Sequence, residues 1–286
     1  MSDFTEYCAE GTIVRERMEK GADGALLRVL SFTPPKVHAT PVVIFIAGWI
    51  TQMDAWKSVL REMTKDFTVL YVETREKISS RMENNSEYSI EAIGDDIVRL
   101  IEQWTFPPSG YVLAGSSLGA TVIVECFHAL TKPPAALLLI SPNAVFRVPL
   151  IWKVIIALFY PPMYKVIKPF VKWYLKYFRL NVQVDEAQYR KYSNALDVAD
   201  PWKLKKAVIA LERYTIWHRL GSLHCPVLLI GALKDLIHEP GHFQTIASLL
   251  PQVSVVDLET NANTHSPMMV VELRNYLKNI PPYAAS

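Results

Sequence analysis

The 286-residue chain has only three cysteines, Cys8, Cys126 and Cys225, an odd number at wide spacing. That argues against a disulfide framework and predicts a reducing compartment. Glycine is scarce as well, 11 residues against 19 prolines and no fixed period, which excludes collagen-like and low-complexity architectures. No run reaches the ~18 uninterrupted apolar residues that a membrane-spanning helix requires. The acidic start MSDFTEYCAEG lacks the apolar stretch of a signal peptide. These absences predict a cytoplasmic globular protein. Carboxylates are missing altogether between Glu125 and Asp185. Over 147–218 there are 13 Lys+Arg and 5 Asp+Glu, a net of +8, so the rest of the chain carries −6 within a total of +2. Such asymmetry suggests that one segment faces a different partner.

What remains is rich in apolar residues, 50% of the chain, which excludes intrinsic disorder and supplies a large core. Residues 12–20 and 25–32 read as two strands joined by the turn signal Gly21-Ala22-Asp23-Gly24. PVVIFIAGW (41–49), FTVLYVE (67–73), YVLAG (111–115), AALLLIS (135–141), PVLLIG (226–231) and VSVVDLE (253–259) are short, continuously apolar runs suited to strands buried on both faces. Helical periodicity fills 53–66, 89–104, the stretch from Ser117 to about Leu130, a stretch from Pro240, and 266–279. The alternation predicts an α/β architecture, a mostly parallel doubly wound sheet led by an antiparallel hairpin. It is broken only at 147–218, the basic segment. We expect a core of 1–146 and 219–286 with a helical cap, or lid, inserted at 147–218.

One motif carries chemistry. Gly115-Ser116-Ser117-Leu118-Gly119 is a G-x-S-x-G pattern, of which about 0.03 are expected by chance at this length and composition. It stands where an apolar strand meets a helix, a turn so tight that side chains at 115 and 119 would collide. The turn lifts the Ser117 hydroxyl off the sheet and aims the first amides of the helix at whatever it attacks. Ser116 lies off the apex and supports it. A serine needs a base. Of seven histidines, His265 in NANTHSP sits between the last strand and the last helix, at the sheet end where such folds gather catalytic groups. The base needs an acid to hold its tautomer, and Asp235 follows PVLLIGALK directly. The position after the preceding strand holds Ser141-Pro142-Asn143 and offers no carboxylate. The order Ser117, Asp235, His265 is the one this triad takes on an α/β scaffold.

With these residues in place the chain resembles the α/β-hydrolase superfamily over most of its length outside the cap. The resemblance implies an elbow at Gly115, Ser116, Ser117 and Gly119, and a triad of Ser117, Asp235 and His265. It also implies an oxyanion hole formed by the main-chain N–H groups of Trp49 and Leu118. Ala47-Gly48-Trp49 stands where the family commonly has His-Gly, and Glu73–Ser80 occupies its Asp-x-Arg-Gly-x-Gly-x-Ser turn without the two glycines. The activity implied is that of a serine hydrolase, esterase- or lipase-like, acting on a carboxylic ester with an apolar acyl or alcohol part. Acyl transfer, thioester hydrolysis and carbon–carbon bond hydrolysis use the same triad, and some members of the superfamily only bind ligands. The serine elbow argues against epoxide opening and dehalogenation, which use aspartate there. No metal or organic cofactor is implied.

Two further patterns stand out in the sequence. His238-Glu239-Pro240-Gly241-His242 spells H-E-x-x-H, but a zinc site needs an unbroken helix there and Pro-Gly interrupts it. In the cap, Lys165, Lys168, Lys172, Lys176 and Arg179 fall within an arc of about 80°, with Ile167, Phe170, Val171, Tyr174 and Phe178 opposite. Such a helix is either a lid with its apolar side over the active site and its lysines in water, or a contact for an anionic membrane through 165–179. Both predict an apolar substrate chamber and an apolar ester or lipid as ligand. No nucleic-acid motif is present.

Overall fold

The structure, a computed structural model, describes residues 4–36, 38–83, 85–146, 156, 158, 160–179, 182, 186–212, 214–233, 241–281 and 283. Asp235, the residues His238-Glu239-Pro240 and most of the apolar stretch VPLIWKVIIALFY (148–160) that opens the expected cap lie outside the described residues, as does the side chain of Arg179.

Eight strands form one sheet in the order β1-β2-β4-β3-β5-β6-β7-β8. They are β1 (Ile13–Lys20), β2 (Leu26–Thr33), β3 (Val42–Ile46), β4 (Val69–Val72), β5 (Tyr111–Ser116), β6 (Ala136–Ile140), β7 (Val227–Gly231) and β8 (Val253–Asp257). β1 and β2 form the expected hairpin, closed by Asp23 and Gly24, both at positive φ. β2 meets β4 antiparallel, and from β4 to β8 every pairing is parallel. The six central and C-terminal strands match the six apolar runs, but β8 departs from the pattern. It is the sheet edge, and Val255 is exposed, with no further strand beyond β8 among the described residues.

Because successive residues of a strand face opposite ways, each central strand feeds two cores. Ile44, Leu113, Leu137 and Leu229 pack on one face with α2 (Ile90–Gln103) and α3 (Leu118–Cys126). Phe45, Val112, Leu138 and Ile230 pack on the other with Trp56 and α1 (Lys57–Met63), and with Met269 and Leu273 of the last helix, Pro267–Asn279. α2 begins at Ser89, whose side chain accepts from the Ala92 N–H, as the capping signal predicts. α1 is shorter than the periodicity of 53–66 suggests: a 3₁₀ turn, Met53–Trp56, precedes it and Thr64 ends it. α3 likewise gives way to a 3₁₀ turn at Phe127.

Between β6 and β7 the chain forms helices Tyr164–Tyr174, Glu186–Val198, Pro201–Leu211 and Trp217–Leu220. Pro169 sits inside the first of these, which runs on as a π turn, Leu175–Arg179. The segment is pinned to the sheet side by Lys203, whose Nζ donates to the carbonyls of Lys77 and Ser80, each at 2.6 Å. The basic stripe does not simply point into water. Lys168 and Lys172 both pair with Asp197 of the next helix, at 2.9 and 2.6 Å, while Lys165 and Lys176 are exposed. The apolar side is divided as well: Ile167 and Val171 line the interior cavity, but Phe170 and Phe178 are exposed.

Among the described residues no helix is long and apolar enough to cross a membrane.

Candidate active site

The sharp turn forecast for 115–119 is present. Ser117 has φ +51° and ψ −113°, a conformation a side chain adopts only under constraint. Three contacts hold it: the Ser117 N–H donates to the Ile140 carbonyl at 2.8 Å, and its own carbonyl accepts from the N–H and the Oγ1 of Thr121. The glycines are sterically required. A Cβ on Gly115 would stand 2.5 Å from the Gly119 carbonyl carbon, and one on Gly119 would stand 2.1 Å from the Ile46 oxygen. Ser116 is buried beside the apex.

Ser117 opens onto a cavity of about 450 Å³ whose wall is mainly apolar, contributed by the β3, β5 and β6 loops below and the helical segment above. His265 lines the same cavity. It follows the short helix Asn261–Thr264, with its ring stacked on Trp56 at 4.1 Å between centroids and its carbonyl accepting from Ser58 Oγ. Its Nδ1 lies 2.9 Å from the Asn261 carbonyl oxygen. A carbonyl only accepts, so this contact favours the tautomer with the proton on Nδ1 and the lone pair on Nε2; Thr264 Oγ1 also lies 3.0 Å from Nδ1. That is the tautomer of a general base. Nε2 is met by Lys191 Nζ at 3.0 Å, and Lys191 also reaches Asn261 Oδ1 at 3.3 Å. Ser117 Oγ accepts from Asn143 Nδ2 at 2.9 Å. Among the described residues no hydrogen bond joins Ser117 to His265, although one cavity holds both.

The loop after β3 comes close to the serine. A Cβ at Gly48 would lie 3.4 Å from Ser117 Cβ. The Gly48 carbonyl accepts from Lys77 Nζ at 2.5 Å. A trans peptide sets C=O and N–H on opposite sides, so this grip on the oxygen fixes the direction of the Trp49 N–H. Lys77 is buried, and burial lowers its pKa against the pull of Glu76 and Glu73. The segment that lacks the two glycines is thus a packed, charged turn: Arg75 donates twice to Asp96, at 2.7 Å each, with both side chains fully buried. Burial pushes the Asp96 carboxyl above its usual range, against the Arg75 guanidinium.

The three cysteines are buried and form no disulfide, and burial pushes the thiols of Cys126 and Cys225 up to about 12. Among the described residues no group of histidines, cysteines and carboxylates could hold a metal. The helix expected from Pro240 begins at His242, after Gly241 at φ +92°.

Asn143 and Lys191 are the polar contacts that sequence reading missed. Asn143 was visible only as the absence of a carboxylate after β6, and Lys191 as one charge in a basic segment. Each reaches a functional atom across 26 and 74 residues of chain, which no local pattern reports.

No protein-family model matches the chain, and no curated protein matches it. Solved structures do. An esterase from Thermogutta terrifontis, with malate bound, superposes with a TM-score of 0.68 at 18% identity, covering 93% of this chain and 98% of that one. A hydrolase from Pseudomonas aeruginosa PA01 gives 0.72 at 19% identity over 93% and 98%. A membrane phospholipase A described as a bacterial virulence factor gives 0.66 at 15% identity over 93% and 87%. The chain has the α/β-hydrolase fold.

Proposed function

We propose that the protein is a serine hydrolase of carboxylic esters with an apolar acyl or alcohol part, with Ser117 as nucleophile, His265 as base and Asp235 as the acid that orients it. The observation that carries this reading is the strained elbow at Ser117 opening into the same mainly apolar cavity as the imidazole of His265. A hydroxyl has one proton and two acceptor sites. Asn143 uses an acceptor site of Ser117, which leaves its proton to be directed at a base. His265 takes that proton as Oγ bonds to the carbonyl carbon, then delivers it to the alcohol oxygen as the C–O bond breaks; water reverses the sequence to release the acid. Trp49 and Leu118 supply oxyanion N–H groups, each worth about 3 kcal/mol in such sites. Lys77, gripping the carbonyl of the same peptide, would hold the Trp49 donor in place where the family has its own loop. The segment 147–218 serves as the cap over the acyl chamber. The esterase and phospholipase among the structural neighbours support ester or lipid substrates.

Ser117→Ala tests this. Turnover of p-nitrophenyl octanoate should fall by at least about a thousandfold. The melting temperature should hold, because alanine fills the same backbone position. Retained turnover would mean another nucleophile.

A further inference from the structure

We propose that Lys77 and Lys203 are positioning residues for the oxyanion hole: the helices between β6 and β7 set the Trp49 N–H through the turn after β4, so their seating governs the rate of the chemical step. This rests on the serine-hydrolase reading for the site and adds how its oxyanion donor is held. The sheet order supplies the geometry. β3 lies between β4 and β5, so the loop after β3 has the Lys77 turn on one side and the Ser117 elbow on the other. The Gly48 carbonyl accepts from Lys77 Nζ at 2.5 Å, and in a trans peptide the Trp49 N–H then points the opposite way, to the side where the elbow stands. An ammonium on the oxygen also polarises the peptide and makes its N–H the stronger donor.

The loop needs such support. Its Gly48 carbonyl also accepts from the Thr51 N–H at 3.1 Å, closing a turn in which Ile50 has φ +47°. A β-branched residue adopts that left-handed conformation only when its surroundings impose it. Those surroundings come from the helices between β6 and β7. Ile50 is buried against Ala195 and Leu196, and Leu204 packs on the same cluster. Next to Leu204, Lys203 donates to the carbonyls of Lys77 and Ser80. The residue that grips the Trp49 peptide is thereby itself gripped from the helix Pro201–Leu211. Neither Lys77 nor Lys203 is among the residues lining the cavity, so an effect of either on turnover has to pass through the loop.

Turnover of p-nitrophenyl octanoate tests this in wild type, Lys203→Met and the double variant Glu76→Gln, Lys77→Met. Glu76 is changed with Lys77 because the two buried charges lie 3.4 Å apart, and the carboxylate alone would be left unpaired. An oxyanion donor acts in the transition state, so KM should stay within about twofold. The loss in kcat should be about a hundredfold in the double variant and about tenfold in Lys203→Met. Two inhibitors separate positioning from general loosening. Heptyl trifluoromethyl ketone takes Ser117 Oγ at its carbonyl carbon, the hydroxyl proton passing to His265 and the carbonyl electron pair to the oxyanion. The corresponding trifluoromethyl carbinol fills the same chamber and forms no adduct. The Ki of the ketone should weaken in step with kcat while that of the carbinol stays put. Lys203→Met, a change at a partly buried side chain, decides the matter if the double variant does not fold. Equal weakening of ketone and carbinol would overturn the inference and leave both lysines as structural pins. If Ser117→Ala is inactive while the folded lysine variants keep full kcat, the hydrolase reading stands and the relay alone falls. If Ser117→Ala stays active, the nucleophile assignment falls and the relay with it.

Discussion

At Gly119 the backbone of α3 passes so close to the end of β3 that a methyl group has nowhere to go: its nearest neighbour would be the Ile46 oxygen at 2.1 Å, followed by the Ile46 carbon at 2.8 Å. Both are backbone atoms, so no rotamer change relieves the clash. Gly119→Ala should destabilise the protein by ~3 kcal/mol or more in urea denaturation, in contrast to the near-neutral Ser117→Ala next door. A loss below about 1 kcal/mol would mean that β3 and α3 can slide apart. The steric demand also explains why this part of the site was legible in the sequence. The pattern 115–119 encodes a local geometry, and local geometry is what short motifs report. Two of the site's other polar contacts are long-range. Asn143 meets Ser117 because β6 lies beside β5, and Lys191 meets His265 because a helix between β6 and β7 folds back over the sheet. The triad acid expected at Asp235 lies outside the described residues.

Among the elements, the turn after β4 is held by burial of charge. Arg75 bridges to Asp96 on α2 and to the Glu87 carbonyl, and Asp96 in turn accepts from the Ala22 N–H in the β1–β2 turn. One ion pair thereby ties together a hairpin, a loop and a helix. Removing one partner leaves the other charge unpaired in a dry interior, so Asp96→Ala should cost about 3–5 kcal/mol in urea denaturation. The joint change Arg75→Met, Asp96→Leu should recover part of that loss, because desolvation of the two ions is relieved together. A single variant as stable as wild type would contradict the burial. Elsewhere the elements followed the sequence where burial is uniform and departed where it is not. β3, β5, β6 and β7 are continuously apolar and lie inside the sheet. β8 has much the same composition, yet it forms the edge, since composition reports what a strand tolerates and not its place in the order. The helix Tyr164–Tyr174 shows the same limit. Its lysine arc was legible, but Asp197 claims two of the lysines, and only the packed structure separates the apolar residues that face the cavity from those that face out.

For the whole molecule, the fold was legible in outline because alternation of apolar strands with amphipathic helices leaves few other solutions. The sheet and its flanking helices carry Ser117 and His265, and the helices between β6 and β7 reach the sheet side through Lys203 on the Lys77–Ser80 turn and Lys191 on His265. The proposed chemistry needs the groups on the sheet side alone to make an alcohol oxygen reactive. Labelling with a long-chain fluorophosphonate, followed by peptide mapping, tests this most directly in wild type, His265→Ala and Lys191→Met. A single adduct on Ser117 is expected, with formation slowed at least about a hundredfold by His265→Ala and not slowed by Lys191→Met. An adduct on another residue, or equal labelling rates with and without the imidazole, would contradict it.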